Sequence, residues 1–351
     1  MAVCYGPGED TPRSLGFLMP AEWETQEGIW ISWPGDEDTF PDLRQVEHAY
    51  TKVIRAVSPY EKIHLLVRDE EIAEYVTGLF RDKEIRREHL KFHLADYADV
   101  WFRDYGPNFV IHREKSELAM VDWIFNAWGN KYPGLLYDDI IPSTINQDLD
   151  IPRFVPGIVM EGGSIDVNGC GTVLTTEQCL LNPNRNPGLD RTEIEWYLRE
   201  YLGCSHVLWL KEGIAGDDTD GHVDDIARFV NQTTILCAVE ENPDDENYTA
   251  LLENYHLLKR ATDQDGTPIT VIPIPMPGEI KNDNRLPASY ANFLITNKLV
   301  LFPTFNHHND GIAQTILEGV FPGREVIGID CRAMVHGLGT LHCISQQQPE
   351  P

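Results

Sequence analysis

Three side chains that can hold or pass a proton recur at near-equal intervals. Asp104 sits in WFRDYGP, Glu161 in MEGGS and His222 in GHVDD, 57 and 61 residues apart. Each opens a strand-like stretch, so equivalent positions in successive repeats would face one axis. Asp224 follows His222 by two residues. Cys343 lies in GLGTLHCISQQQ, where a last strand would bring it to the same place. Carboxylates accept hydrogen bonds in a plane, and their natural complement is a guanidinium held by paired N–H···O contacts. That group stays protonated at neutral pH, so the ligand would be a cation. Its carbon is a poor electrophile. Pinning its N–H fork lets a nucleophile approach from above, and orientation alone is worth about 7–11 kcal/mol at best. A thiol is strongly nucleophilic once ionised, and a cation nearby favours the thiolate. His222 would then protonate departing ammonia and later deprotonate a water, with a covalent thiouronium between the two steps. Gly337 and Gly339 would let the backbone carry the thiol close to a small flat ligand.

Taken singly, each residue has a plainer reading. Cys343 could be a small buried hydrophobe, Trp101 a core aromatic and Glu161 a turn residue. Asp104 could pair with Arg103, and His222 with Asp224 could be a metal pair or a satisfied turn. His307, His308 and Asp310 read as a solvated loop. The joint arrangement favours chemistry over these alternatives. Dinucleotide, P-loop, HExxH and GxSxG patterns are absent.

Such convergence demands elements that repeat. Helical periodicity appears over 41–58, and over 190–202 with Asp190 and Glu193 as a capping box and Gly203 as the stop. Segments 70–80, 246–261 and 310–320 behave similarly, and most are followed by short apolar strands, KIHLLV, HVLWL, ITVIPI and EVIGI. Five strand-like stretches begin near 29, 100, 159, 221 and 289, and the last four read as hairpins. This spacing predicts a closed, pseudo-symmetric α/β arrangement rather than two unrelated domains. The loosest stretch, 138–152, reads as an excursion within a domain.

The 28 Lys and Arg stand against 56 Asp and Glu, a formal charge of −28. Such a field repels nucleic acid and anionic membrane and draws in cations. Seven scattered cysteines without a CxxC suit a reducing cytoplasm rather than a disulfide framework. The start, MAVCYGPGED, has neither a basic nor an apolar signal region, and no apolar run is long enough for a bilayer.

MPAEWE…WISWP, WFRDYGPNF, DWIFNAWG, MEGGSIDVNGCGTVLTTEQCLLNPNRNP, DDTDGHVDDIARF, SYANFLI and LHCISQQQP together resemble the agmatine deiminases. These form part of the Porphyromonas-type peptidylarginine deiminase branch of the guanidino-group-modifying, or pentein, superfamily. The resemblance runs from about Gly16 to Pro349. It implies a five-bladed β/α propeller of pseudo-symmetric ββαβ units, with 1–351 as a single pentein catalytic domain. It also implies hydrolysis of agmatine to N-carbamoylputrescine and ammonia with no metal or organic cofactor. By motif, Cys343 matches the nucleophile, His222 the general acid/base and Glu161 the carboxylate beside it. Asp104 and Asp224 match the guanidinium-binding acids, and Trp101 an aromatic lining the substrate channel. Three departures stand out. Gly337-Leu338-Gly339-Thr340 replaces the usual Gly-Gly-Gly-Asn, Gln26 replaces a His, and GDDTDGH replaces Asn-Asp-Glu-Thr-Asp-Gly-His. The acids Asp217, Asp218 and Asp220 suit a dication or form a solvated turn. Deimination of arginine or peptidyl-arginine, and amidino transfer to an amine, are the alternatives within this fold. A metal hydrolase using His222, Asp224 and the 307–310 loop, and a non-catalytic binding propeller, lie outside that chemistry. The expected partner is a small cationic guanidino compound, with no nucleic acid and no membrane, and homo-oligomerisation is left open.

Overall fold

The computed structural model describes residues 2–80 and 84–351. Among these, the strands gather into five sheets with helices between them, a mixed α/β fold. Four sheets repeat one order. Asn108–His112 pairs antiparallel with Glu117–Val121, which pairs in parallel with Arg153–Phe154. The same steps join Ile165–Val167, Thr172–Thr176 and His206–Leu210. They recur for Ala227–Asn231, Thr234–Val239 and Thr270–Pro275. They recur again for Leu294–Ile295, Leu299–Thr304 and Glu325–Asp330. A parallel step needs a long crossover, and the helices Ile141–Leu149, Arg191–Leu202, Tyr248–Leu258 and Asn309–Val320 supply it.

The remaining sheet is built from both ends of the chain. Ser345–Pro349 runs antiparallel to Gln26–Ser32, and Lys62–Val67 and Leu90–Leu94 add in parallel. The three glutamines near the C-terminus belong to this fully buried strand. Gln347 Oε1 accepts from Arg103 Nη1 at 2.8 Å, and Gln348 Oε1 accepts from Trp30 Nε1 at 2.8 Å. Polar partners from neighbouring elements thus meet the buried amides of Gln347 and Gln348, whereas Gln346 Nε2 and Oε1 have none.

Local signals explain most helix ends. Asp190 and Glu193 form the reciprocal capping box, and Gly203 stops the helix with a φ of 76°. Leu43–Val57 starts where Asp42 accepts from Gln45 N, and buries Val46, Tyr50, Val53, Ile54 and Val57 on one stripe. The 138–152 stretch differs from its sequence reading. It folds as the 3-10 turn Pro133–Ile140 and the helix Ile141–Leu149, burying Ile141, Pro142 and Ile145. Proline at a first helical turn lacks only an N–H that would be unpaired anyway. Two apolar cores form, the smaller around Phe154, Val173 and Leu198. No helix among the described residues is long and apolar enough to cross a membrane.

Candidate active site

Each sheet is entered through a short turn, and each turn carries a polar residue buried in the fold. Asp104 lies in the turn Phe102–Tyr105, Glu161 precedes Gly162–Ser164, and His222 precedes Val223–Asp225, which holds Asp224. Cys343 stands two residues before Ser345–Pro349, and Asn292 two before Leu294–Ile295. The turns are tied to one another. Arg103 N donates to Cys343 O at 3.1 Å, and Gly163 N donates to Asp104 Oδ1 at 3.0 Å. Gly163 is needed for that approach, because a Cβ there would lie 2.6 Å from His222 Nδ1 and 2.7 Å from Asp104 Oδ1.

The six residues expected from sequence come together. His222 Nδ1 lies 3.6 Å from Asp104 Oδ1, and Asp104 Oδ2 accepts from Trp128 Nε1 at 3.0 Å. Cys343 Sγ lies 3.9 Å from Asp224 Oδ2. Glu161 and His222 each place a polar atom within 4.8 Å of the other and of the Cys179 sulfur. Trp101 packs over the glycines that lead to the thiol. A Cβ on Gly339 would overlap its Cζ3 and sit 3.0 Å from Cys343 Cβ. A cavity of about 550 Å³ opens onto Cys343 and Asp104, walled by Trp101, Trp128, Tyr132 and Leu338.

Burial sets the protonation states. It raises the Asp104 carboxyl to about 6, helped by the charges of Asp224 and Glu161 and opposed by His222. For His222, burial alone would lower the pKa, but Asp104, Cys179 and Glu161 together hold it well above the ordinary value. The Cys343 thiol is pushed well above its usual range by burial and then by Asp224, Asp225 and Asp104. Burial also opposes ionisation of Asp224, yet its hydrogen bond with His342, at 2.6 Å, lowers its pKa. Beside it, burial and the Asp224 charge keep Asp225 well above the carboxylate range.

A second layer holds these groups. Arg185 Nε donates to Glu161 Oε1 at 2.6 Å, with both side chains fully buried. His342 joins Asp224 to Glu22, and Arg228 joins Glu22 to Asp166. Asn292 Nδ2 donates to Cys343 Sγ at 3.0 Å. Sequence reasoning missed Asn292, although the repeat period marks it: it follows His222 by 70 residues and precedes Cys343 by 51. It also missed Arg185, Cys179 and His342, whose partners are remote in the chain. Three buried atoms of the expected residues, Glu161 Oε2, His222 Nε2 and Asp224 Oδ1, have no hydrogen-bond partner. An unsatisfied buried polar atom costs about 1–3 kcal/mol, and such atoms persist where function needs them.

All three sequence departures keep a polar role. Thr340 Oγ1 donates to Asn292 Oδ1 at 2.7 Å, and Gln26 Nε2 donates to Glu22 O and Ile295 O. Leu338 holds a left-handed φ of 72° and lines the cavity. In GDDTDGH, Asp217 accepts from Gly221 N and His222 N, and Asp220 pairs with Arg185 and Lys131, while Asp218 and Thr219 line the cavity. Two groups of three donors could grip a metal ion among the described residues: Glu161 with Cys179 and His222, and Asp224 with Asp225 and Cys343. His307, His308 and Asp310 belong to neither. Asp310 is occupied instead by Phe305 N, His307 N and the Tyr290 hydroxyl.

Comparisons with known proteins place this geometry. The family model described as Porphyromonas-type peptidyl-arginine deiminase matches residues 18–349. A Legionella pneumophila protein is 39% identical over 345 residues, 97% of each chain. The agmatine deiminase of Stutzerimonas stutzeri is 37% identical, spanning 97% of this chain and 98% of its own. Among solved structures, the agmatine deiminase of Enterococcus faecalis superposes with a TM-score of 0.92 at 33% identity, over 99% of both chains. The chain belongs to the Porphyromonas-type peptidyl-arginine deiminase family.

Proposed function

We propose that this protein hydrolyses the guanidinium group of agmatine to N-carbamoylputrescine and ammonia, with Cys343 as the nucleophile. The observation that carries the reading is the Cys343 sulfur set 3.9 Å from Asp224 in a cavity that Asp104 also lines. The two carboxylates grip the N–H edges of the cation, and sulfur meets its carbon from above. With burial, and then the neighbouring acids, raising its pKa, the thiol is neutral at rest. A guanidinium between those acids offsets their charge and favours the thiolate, so substrate activates its own nucleophile. Sulfur bonds the carbon, one C–N bond breaks, and the proton given up by the thiol ends on ammonia through His222. The resulting thiouronium is attacked by water, which loses one proton to His222, and as the carbonyl forms and the C–S bond breaks the second proton returns the sulfur to the Cys343 thiol. Glu161 orients His222, and Trp101 flattens the channel wall.

The wall also supports agmatine over arginine. Asp36, Asp99 and Asp218 line the cavity and suit a distal ammonium. The cation there, Lys131, is neutralised by Asp220 at 2.7 Å and so is a poor partner for an α-carboxylate. The recurring sheet order and the pairing of the last strand with Gln26–Ser32 support a five-bladed propeller in one domain. Seven free thiols suit the cytoplasm. The test is ammonia release from agmatine, arginine and a blocked arginyl peptide. Release from agmatine at the highest kcat/KM, lost in Cys343→Ala, is expected. Release from the peptide alone moves the reading to protein deimination, and full activity of Cys343→Ala ends the cysteine mechanism.

A further inference from the structure

We infer that Asn292 is a further catalytic residue, its side-chain N–H stabilising the Cys343 thiolate during attack. The inference rests on the cysteine mechanism proposed above. The two ends of the amide are distinguished by their neighbours. Thr340 Oγ1 at 2.7 Å, His342 N at 3.0 Å and Cys343 N at 3.4 Å all point at Oδ1. An amide oxygen accepts and an amide nitrogen only donates, so three converging donors leave Nδ2 facing sulfur, 3.0 Å away.

A neutral thiol is a weak acceptor and a thiolate a strong one. Hydrogen bonds to an ionised partner are roughly twice as strong as neutral ones. The Asn292 contact therefore tightens as negative charge grows on sulfur, which is the condition for accelerating the step rather than the binding. The other groups around the sulfur do not serve this purpose. Asp224, Asp225 and Asp104 oppose the anion. His342 is engaged by Asp224 and Glu22, Arg103 Nε and Nη1 by His342 O and Gln347, and His222 faces Asp104. Among the described residues, Asn292 is the one side chain that donates to Cys343 Sγ. Its place in the chain agrees, because it stands two residues before its strand, as Cys343 does. The hydroxyl of Thr340 keeps the amide from turning over.

Asn292→Asp keeps the volume and the acceptor for Thr340 and His342 but removes the donor. Asn292→Ala answers the same question should the added charge unfold the chain. Two readouts separate catalysis from structure. The first is steady-state turnover of agmatine, where kcat should fall about 100–1,000-fold, as for loss of one preorganised donor to an anion, with KM within about threefold. The second needs no substrate: the rate of iodoacetamide addition to Cys343, followed by peptide mass mapping from pH 7 to 10. It should fall at least about tenfold at each pH, as expected when the donor stabilising the attacking thiolate is lost. An alkylation rate equal to that of the native protein, or a loss confined to KM, overturns the role. Failure of the native protein to release ammonia from agmatine would instead refute the proposed substrate, and the alkylation arm would still decide on Asn292.

Discussion

Replacing Arg185 with methionine tests how the acid beside His222 is held. Arg185 makes four hydrogen bonds: to Glu161 Oε1 at 2.6 Å, Asp220 Oδ2 at 2.6 Å, Asn184 Oδ1 at 2.8 Å and Thr219 O at 2.7 Å. Its side chain and that of Glu161 are 0% exposed. Glu161 Oε2 already lacks a partner, so removing the guanidinium strands a whole carboxylate in the interior. Breaking a buried pair from one side costs about 3–5 kcal/mol. Unfolding entropy near 2.1 cal/mol/K per residue amounts to roughly 0.7 kcal/mol/K for a chain of this length, so Tm should drop by about 4–7 °C. Calorimetry and urea titration measure it. The double variant Arg185→Met with Glu161→Gln should recover part of the loss, because no buried charge is then left alone. Turnover should fall in the single variant as well, since Thr219 and Asp220 lead directly into His222. A Tm within 1 °C of the native protein, or a double variant less stable than the single one, would refute the reasoning.

The acid limb of kcat/KM should lie near pH 6, where Asp104 ionises in the free protein; a flat profile between pH 5 and 7 would contradict this. The same raised carboxyl keeps its proton in the folded state between about pH 4 and 6, after the unfolded chain has lost it, so its stabilising contribution is lost as pH rises through 6. Gly339→Ala should drive a methyl into Trp101 and against Cys343 Cβ, costing about 1–3 kcal/mol of stability and most of kcat, and melting curves with steady-state kinetics check both. With a charge of −28 steering a cation, kcat/KM should fall as ionic strength rises from 10 to 150 mM while kcat changes little; an unchanged kcat/KM would remove steering from the account.

What was legible in the sequence was what repeats. Asp104, Glu161 and His222 announce themselves because each opens a unit whose helix and strands are written in local periodicity. The capping box of Asp190 and Glu193 fixes a helix end within the sequence itself. The helix at Ile141–Leu149 was hidden because two prolines and a run of aspartates mask an apolar stripe of only three buried residues. Its formation depends on tertiary burial, which overrides weak local preference.

The supporting layer was hidden for a different reason: its members are chosen by charge balance in space. Glu22 meets His342 across 320 positions and Asp166 meets Arg228 across 62, so no window along the chain contains the pair. Yet the balance has a logic that the site requires. The acids of this layer sit against bases: Asp224 against His342, Glu22 against Arg228 and Glu161 against Arg185. The sulfur alone is given a neutral donor. A lysine or arginine in the place of Asn292 would ionise the thiol at rest, but it would also repel the guanidinium from the acids meant to hold it. An amide stabilises the anion without contesting the cation, so the charge that completes the nucleophile arrives only with the substrate.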